Sequence, residues 1–267
     1  MTKWFKALIR KKVENEETLV YKTYSQALLQ CNNVGYEDKE LCNIIAQKTK
    51  KYKEALQAKP YLIKPVQCYL TLVIQHVLLN ENKKQVSVVD FGGACGAHYF
   101  ETRRLLDENI KLDWEVVETN AIIESAKIYQ LEQGELRFSN DINDTASDLI
   151  YLSSSIQYVP DPYSTIELII SKKIPYILFN RMMLNTASEE DLIIVQQSLL
   201  SANGPGEMLP GIEDRVIKYP HTTLSEKKFL KKFEAEYELV FKFDESSGKI
   251  EQNNANIVGG GFLFKRK

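Results

Sequence analysis

The chain has 267 residues, 44% hydrophobic and 26% charged, which is typical of one large globular domain or a domain with a helical extension. Its 34 Lys and Arg residues are balanced by 36 Asp and Glu residues, and the resulting net charge of −2 argues against a nucleic-acid-binding protein. The four cysteines (Cys31, Cys42, Cys68 and Cys95) lack zinc-ligand spacing, so we expect a reduced, cytoplasmic protein without a metal site.

Residues 1–82 are predicted to form an N-terminal helical extension. Glu37–Lys59 carries apolar residues at three- and four-residue spacing, and Pro65 opens a second apolar helix. No stretch reaches the roughly 20 apolar residues that a transmembrane helix needs, although Met1–Lys12 could lie on a membrane surface as an amphipathic helix. We expect the extension to cover a cofactor or to form a homodimer interface.

Residues 83–267 are predicted to form the main domain, in which apolar strands alternate with helices. The strands expected first are Val86–Phe91, Trp114–Glu118, Glu135–Phe138, Asp148–Ser153 and Ile174–Asn180. The helices between them are expected at Ala97–Asp107, Ala121–Gln133 and Pro162–Lys172, and a further helix at Leu224–Glu234. Such alternation predicts a mostly parallel sheet covered on both faces. Closing strands at Tyr237–Asp244 and Ile257–Lys265 predict an antiparallel hairpin strand, so we expect a seven-stranded, Rossmann-like α/β domain.

A glycine-rich turn after the first strand carries the clearest functional signal. The strand ends in Asp90 and continues through Gly92, Gly93, Ala94 and Gly96 into a helix. Glycines let a ligand approach the backbone closely, and the start of the helix offers unsatisfied N–H groups. The dinucleotide pattern GxGxxG fits poorly, whereas acid-x-Gly-x-Gly-x-Gly fits with Ala94 at the middle glycine. A tight turn that binds nothing is the alternative interpretation.

Polar residues also follow the next three strands. Glu118 and Thr119 follow the second strand, where a carboxylate can accept both hydroxyls of an adenosine ribose. Asp141 follows the third, where it could accept from an adenine amino group or merely form a turn. Ser153 and Ser154 follow the fourth and are expected to face the transferred group. A NAD-binding protein also uses a ribose-binding acid, but the ordered set favours S-adenosylmethionine as the cofactor.

A resemblance to a known family extends over nearly the whole chain. The matching segments are Gly35-Tyr36, Asp90–Gly93, Tyr99-Phe100 with Arg103, Trp114–Glu118, Leu152–Tyr158, Tyr219-Pro220 and Gly261–Phe264. In these segments the chain resembles bacterial proteins that are assigned as methyltransferases from their fold and are often encoded among surface-polysaccharide genes. The resemblance implies a class I methyltransferase fold. The family's Asp-Arg-Thr-Pro after the fifth strand is Asn180–Met183 here, so a proton-transfer role for that acid does not carry over.

Two histidines are candidates for the chemistry of methyl transfer. The reaction is an in-line displacement that depends on positioning, and it needs a general base only for a weakly acidic acceptor such as a hydroxyl. His221, beside Tyr219-Pro220, is the best candidate base, with a plain loop histidine as the alternative. His98, at the start of the helix after the glycine-rich turn, is expected near the amino-acid end of the cofactor.

Further candidates lie after the fourth and fifth strands. Tyr158 is expected to face the substrate, and Arg181 either to hold an acidic substrate group or to pair with Asp161 or Glu167. Residues Met182–Pro220 are expected to form a lid or an acceptor wall. The leading hypothesis is a methyltransferase acting on a small or saccharide-like acceptor, with oxygen favoured over nitrogen. The alternatives are a catalytically silent scaffold in glycan biosynthesis and a nicotinamide-dependent oxidoreductase.

Overall fold

The computed structural model describes residues 19–31, 35–61, 65–142, 147–244, 250–252 and 255–267. The predicted surface helix Met1–Lys12 lies outside these residues. The helices are α1 (Tyr24–Leu29), α2 (Lys39–Ala55), α3 (Pro65–Asn80), α4 (Ala97–Leu105), α5 (Asn120–Ile128), α6 (Pro162–Ser171) and α7 (Glu226–Lys231). The strands are β1 (Val20–Tyr21), β2 (Gln85–Phe91), β3 (Lys111–Val117), β4 (Leu136–Ser139), β5 (Leu149–Ser153), β6 (Tyr176–Asn185), β7 (Leu192–Leu199), β8 (Val216–Ser225), β9 (Tyr237–Asp244), β10 (Ile250–Gln252) and β11 (Ala255–Arg266).

The seven predicted strands are all present, and the predicted α/β fold class is confirmed. They lie in the order β4-β3-β2-β5-β6-β11-β9. Strands β2 to β6 pair in parallel, whereas β11 runs antiparallel between β6 and β9. A dinucleotide-binding sheet places its sixth strand directly beside the fifth, so the inserted antiparallel strand distinguishes this topology. The order of strands reverses between β2 and β5, which is where ligands bind in open α/β sheets.

Helices cover both faces of the sheet, as continuous apolar strands require. Apolar residues of α2 to α5 pack with Trp114, which is fully buried, on one face. On the other face α6 and α7 cover an aromatic cluster in which Phe233 stacks on Phe264 with ring centroids 4.1 Å apart. Both faces of the central strands are therefore removed from water, and the accessible part of the sheet is the edge where these strands end.

The N-terminal helices pack directly onto the helices of the sheet. Asp38 caps α2 by accepting from the Leu41 N–H at 2.9 Å, and Ser125 Oγ of α5 donates to Asn43 Oδ1 at 3.1 Å. Lys48 of α2 is buried and donates to the Ser201 carbonyl at 2.8 Å. The division at residues 82 and 83 stays a prediction. Among the described helices, none combines the length and apolar character needed to cross a membrane.

The segment Met182–Pro220 forms strands as well as loops, which sequence analysis did not predict. It contains the end of β6, all of β7 and the first half of β8. Strand β8 pairs in parallel with the end of β6 and antiparallel with β7, and β7 also pairs with β1. His221 accordingly lies on a strand, not in a loop. Strands β1, β7, β8 and β10 are additions to the predicted sheet.

Candidate functional site

The glycine-rich turn lies at the switch point between β2 and β5, and packing explains its glycines. Gly92 and Gly96 have positive φ angles of 68° and 80°, which favour glycine. A Cβ at Gly92 would lie 2.3 Å from Ser155 Cβ, and one at Gly93 would lie 2.4 Å from the Asp90 carboxylate. Sequence analysis assigned these glycines to close approach of a ligand. Packing against protein atoms is a further reason for glycine at Gly92 and Gly93, and close approach of a ligand stays a prediction.

Glu118 is held by the backbone of the turn. The Ala94 N–H donates to Glu118 Oε1 at 3.0 Å, and the Thr119 N–H donates to Oε2 at 2.9 Å. Thr119 also caps α5, because its Oγ1 accepts from the Ile122 N–H. Two carboxylate oxygens offer about four lone-pair positions, so this carboxylate retains acceptor capacity for two further donors. The fixed position and remaining capacity fit the two adjacent hydroxyls of a ribose.

The ionised form of Glu118 is disfavoured in the ligand-free protein. Burial raises the pKa of Glu118 to about 7, while the bonds from Thr119 and Ala94 act in the opposite direction and the charge of Asp90 adds to the rise. A carboxyl group that titrates close to neutral pH at the end of a strand is typical of a ligand site.

The buried Asp90 and the partly exposed His98 form a pair next to the turn. The Asp90 side chain is fully buried, lies 3.0 Å from His98 Nδ1 and accepts from Trp114 Nε1 at 3.4 Å. Burial of His98 opposes its charge, but the Asp90 carboxylate outweighs this and raises the pKa of His98. The His98 ring lies edge-on to Tyr151, with centroids 5.0 Å apart. His98 lies in the first turn of α4, where the N-cap residue Gly96 provides no side-chain cap. The protonated imidazole and the backbone N–H groups at the start of the helix therefore lie together.

Arg181 lies within β6, and its side chain reaches Ser153 at the end of the neighbouring strand β5. Its Nε donates to Ser153 Oγ at 2.8 Å, and its Nη2 donates to the Ser153 carbonyl at 3.2 Å. Buried Asn180 accepts from the Arg181 N–H at 3.0 Å and donates to the Tyr151 hydroxyl at 3.1 Å. The charge of Arg181 also opposes protonation of His98. The guanidinium therefore lies within electrostatic range of the glycine-rich turn.

The predicted alternative pairing of Arg181 with Asp161 or Glu167 is wrong, because both acids serve other elements. Asp161 accepts from the Ser164 N–H at 3.0 Å and caps α6. Glu167 forms an ion pair with Lys232. Neither carboxylate forms an ion pair with Arg181 within the described residues, and the guanidinium contacts Ser153 instead.

Three residues other than glycine adopt left-handed backbone conformations around this edge. Their φ angles are 49° at Ala94, 61° at Ser154 and 54° at Arg181. Such conformations cost on the order of 1–3 kcal/mol each and concentrate at functional sites. Ala94 stands where the sequence pattern expects a glycine, and its positive φ shows why glycine suits the position.

An aromatic cluster lies within electrostatic range of Arg181. Tyr36 stacks on Tyr219 with centroids 4.7 Å apart, and Tyr158 meets both rings edge-on. The Tyr158 ring also lies edge-on to His221 at 5.2 Å. Burial raises the pKa of Tyr158, and the charge of Arg181 opposes that rise. The cluster thus links the predicted residues Tyr158, Arg181 and His221 in one region.

His221 is neutral in this environment. Its side chain is 4% exposed, and burial lowers the pKa of His221 to about 4. Its Nε2 faces the side-chain amide of Gln157. His221 stays a candidate site residue, but its low pKa gives it little driving force to remove a proton.

The structure does not bring every predicted residue into the same region. Asp141 is exposed, and its carbonyl accepts from Ser139 Oγ at 2.9 Å, as in a turn. Its contact with an adenine stays a prediction. Sequence reasoning overlooked Tyr24, whose hydroxyl donates to the Tyr158 carbonyl at 2.7 Å. The sequence signal for Tyr36 was the Gly35-Tyr36 segment of the resemblance to the methyltransferase family. In the described ranges, no group of three metal-ligating side chains forms a site.

Comparisons with known proteins find similarity at the level of the fold. No protein-family model matches the chain, and no curated protein matches it. An amino pentose methyltransferase from Micromonospora echinaspora, solved with bound S-adenosylmethionine, is 11% identical over 81% of this chain and 97% of its own, with a TM-score of 0.48. An S-adenosylmethionine-dependent methyltransferase from Clostridium acetobutylicum is 13% identical over 73% and 89%, with a TM-score of 0.43. A sugar N-methyltransferase from Streptoalloteichus is 12% identical over 74% and 86%, with a TM-score of 0.45. Identities and TM-scores this low carry no argument about activity.

Proposed function

We propose that this protein is an S-adenosylmethionine-dependent methyltransferase acting on a small, saccharide-like acceptor, with transfer to oxygen. The observation that carries the proposal is the Glu118 carboxylate, fixed by the Ala94 and Thr119 N–H groups at the switch point of the sheet. It retains acceptor capacity for both hydroxyls of a ribose. The antiparallel β11 beside β6 supports this cofactor over a nicotinamide dinucleotide.

The residues around the turn suit the remainder of such a cofactor. S-adenosylmethionine, when bound, supplies an electrophilic methyl group on a sulfonium. Its amino-acid carboxylate would be bound by protonated His98 and by the uncapped N-terminus of α4. Ser153 and Arg181 would then face the methyl group and the acceptor. The chain contributes position and charge, which suffice for much of the rate enhancement of an in-line displacement.

Arg181 supports oxygen as the attacking atom. A guanidinium close to a hydroxyl favours loss of its proton, because the positive charge stabilises the negative charge that develops on oxygen. The tyrosine rings of the aromatic cluster suit the apolar C–H faces of a sugar, and their hydroxyls suit its polar edge. These features support a hydroxylated, ring-shaped acceptor.

Ligand-dependent thermal stability tests the cofactor. S-adenosylhomocysteine at a hundred times its Kd should stabilise the protein by about 2.7 kcal/mol, whereas NAD at the same concentration should not. Stabilisation by NAD alone would reverse the assignment and restore the oxidoreductase hypothesis. Formation of S-adenosylhomocysteine from S-adenosylmethionine with a panel of sugars then tests catalysis. Binding without turnover on any sugar would instead support a catalytically silent scaffold.

The attacking atom is tested with paired acceptors. Each hydroxylated sugar of the panel is compared with its analogue in which an amino group replaces one hydroxyl. Turnover that persists with the hydroxylated sugar and yields a methyl ether, identified by mass spectrometry and NMR, supports the proposal. Methylation of the amino analogues alone would contradict transfer to oxygen.

A further inference from the structure

The hydrogen bonds of Gln157 determine which nitrogen of His221 carries a proton. The Met183 N–H donates to Gln157 Oε1 at 3.0 Å, so the amide nitrogen of Gln157 is the group that faces His221 Nε2. An amide nitrogen can only donate, and His221 Nε2 must therefore accept with its lone pair. In the neutral imidazole the proton is then on Nδ1. His221 presents a donor, and its lone pair is already engaged.

That donor lacks a hydrogen-bond partner among the residues that the structure describes. His221 Nδ1 is buried, and the side chain as a whole is 4% exposed. Buried donors are nearly always satisfied, and an unsatisfied one costs about 1–3 kcal/mol. The edge-on ring of Tyr158, at 5.2 Å between centroids, provides at most a weak contact. An unsatisfied donor at this position indicates that a ligand supplies the acceptor.

The surroundings of His221 indicate what kind of ligand that is. Tyr36 and Tyr158 are partly exposed, whereas Tyr219 and His221 are buried, so the cluster reaches the surface through Tyr36 and Tyr158. The Tyr158 hydroxyl donates to Gln196 Oε1 at 3.1 Å, which adds a polar group beside the rings. Aromatic faces interspersed with amide and hydroxyl groups match a ring that has apolar C–H faces and hydroxyls at its edge.

We propose that His221 Nδ1–H donates to an oxygen of a saccharide acceptor and so orients the sugar ring for methylation at a neighbouring hydroxyl. This inference rests on the proposed methyltransferase function. His221 then acts as a binding residue that keeps its own proton throughout. The contact requires only an acceptor oxygen at the right position, and a hydroxyl or a ring ether of the sugar provides one.

Two substitutions separate the two nitrogens. In H221N the amide nitrogen can occupy the position of Nδ1 and retain the donor, whereas in H221Q the longer amide reaches the position of Nε2 and the donor is lost. The full chain, saturated with S-adenosylhomocysteine, is titrated with the methyl glycosides of glucose, galactose and mannose. Affinity is followed by ligand-observed NMR. For a glycoside that binds the wild type, H221N should bind within about twofold and H221Q about tenfold more weakly.

The possible outcomes distinguish this inference from the function on which it rests. Equal loss in both variants, equal retention in both, or failure of all three glycosides to bind a wild type that does bind S-adenosylhomocysteine would overturn the donor role. Failure of S-adenosylhomocysteine itself to bind would overturn the methyltransferase proposal. Nitrogen-15 NMR of the wild-type imidazoles provides a test that requires no variant to fold, since a proton found on Nε2 of His221 would also overturn the inference.

Discussion

Replacing Glu118 with glutamine is expected to remove a pH-dependent loss of stability while it weakens cofactor binding. The pKa of this carboxyl group is raised from 4.5 to about 7 in the folded protein. Because the unfolded chain releases the proton first, stability is lost as the pH rises from 4.5 to about 7 and is not regained above that range. At about 1.4 kcal/mol per pH unit, the ionised carboxylate costs about 3 kcal/mol.

Urea unfolding measures this cost directly. Near pH 4.5 most of Glu118 is protonated, and E118Q should be less stable than wild type by roughly 1–3 kcal/mol, because the amide nitrogen cannot accept from one of the two N–H groups. Between pH 4.5 and pH 8 the difference in the free energy of unfolding should shift by about 3 kcal/mol in favour of E118Q. E124Q, at an exposed site on α5, is the matched control and should follow wild type at both pH values. A difference independent of pH would refute burial of the ionised carboxylate.

The same variant tests the ligand contact independently of stability. Loss of charge-assisted hydrogen bonds to two hydroxyls should weaken S-adenosylhomocysteine binding by at least about tenfold, as measured by calorimetry near pH 8. E124Q should bind as wild type does. Unchanged affinity in E118Q would remove Glu118 from the cofactor site, whatever the stability measurements show.

Three further substitutions test the geometry around the switch point. G93A would place a Cβ 2.4 Å from the Asp90 carboxylate and should lower the free energy of unfolding in urea by about 3 kcal/mol or more. The control G134A, whose Cβ would meet no atom within 4 Å, should stay within about 0.5 kcal/mol of wild type. Similar losses in both variants would contradict the packing argument. A94G should stabilise by up to about 1 kcal/mol, because it relieves a φ of 49°; a clear loss in the same assay would refute strain there. D90N should lower the pKa of His98 in an NMR titration, since the Asp90 carboxylate is what raises it, and an unchanged value would exclude the pair.

The parallel part of the sheet was predictable because its signals are local. β2 was predicted at Val86–Phe91 and lies at Gln85–Phe91, since a continuous apolar run between polar turns has few alternatives. β7 and β8 were missed for a physical reason. β8 contains Pro220, which normally argues against a strand, and its pairing with the end of β6 depends on residues far away in the sequence.

The two parts of the candidate site, the glycine-rich turn with Glu118 and the aromatic cluster with His221, also differed in how far the sequence alone could predict them. Asp90 and Glu118 follow consecutive strands, so the sequence alone predicts that they lie at the same edge of the sheet. Tyr36, Tyr158 and Tyr219 belong to three distant segments, and no periodicity connects them. The donor character of His221 depends on contacts that only the folded chain makes.

The bond from the Tyr24 hydroxyl to the Tyr158 carbonyl joins residues 134 positions apart, and Tyr36 stacks on a ring of β8. During synthesis Tyr24 and Tyr36 emerge from the ribosome early, whereas Tyr158 follows after more than half of the chain and Tyr219 on β8 after more than three-quarters of it. The aromatic wall is therefore completed late, by contacts of high sequence separation, which form slowly. A chain that ends before β8 would contain the Gly92–Gly96 turn and Glu118 while lacking Tyr219 and His221 of the surface proposed to recognise the sugar.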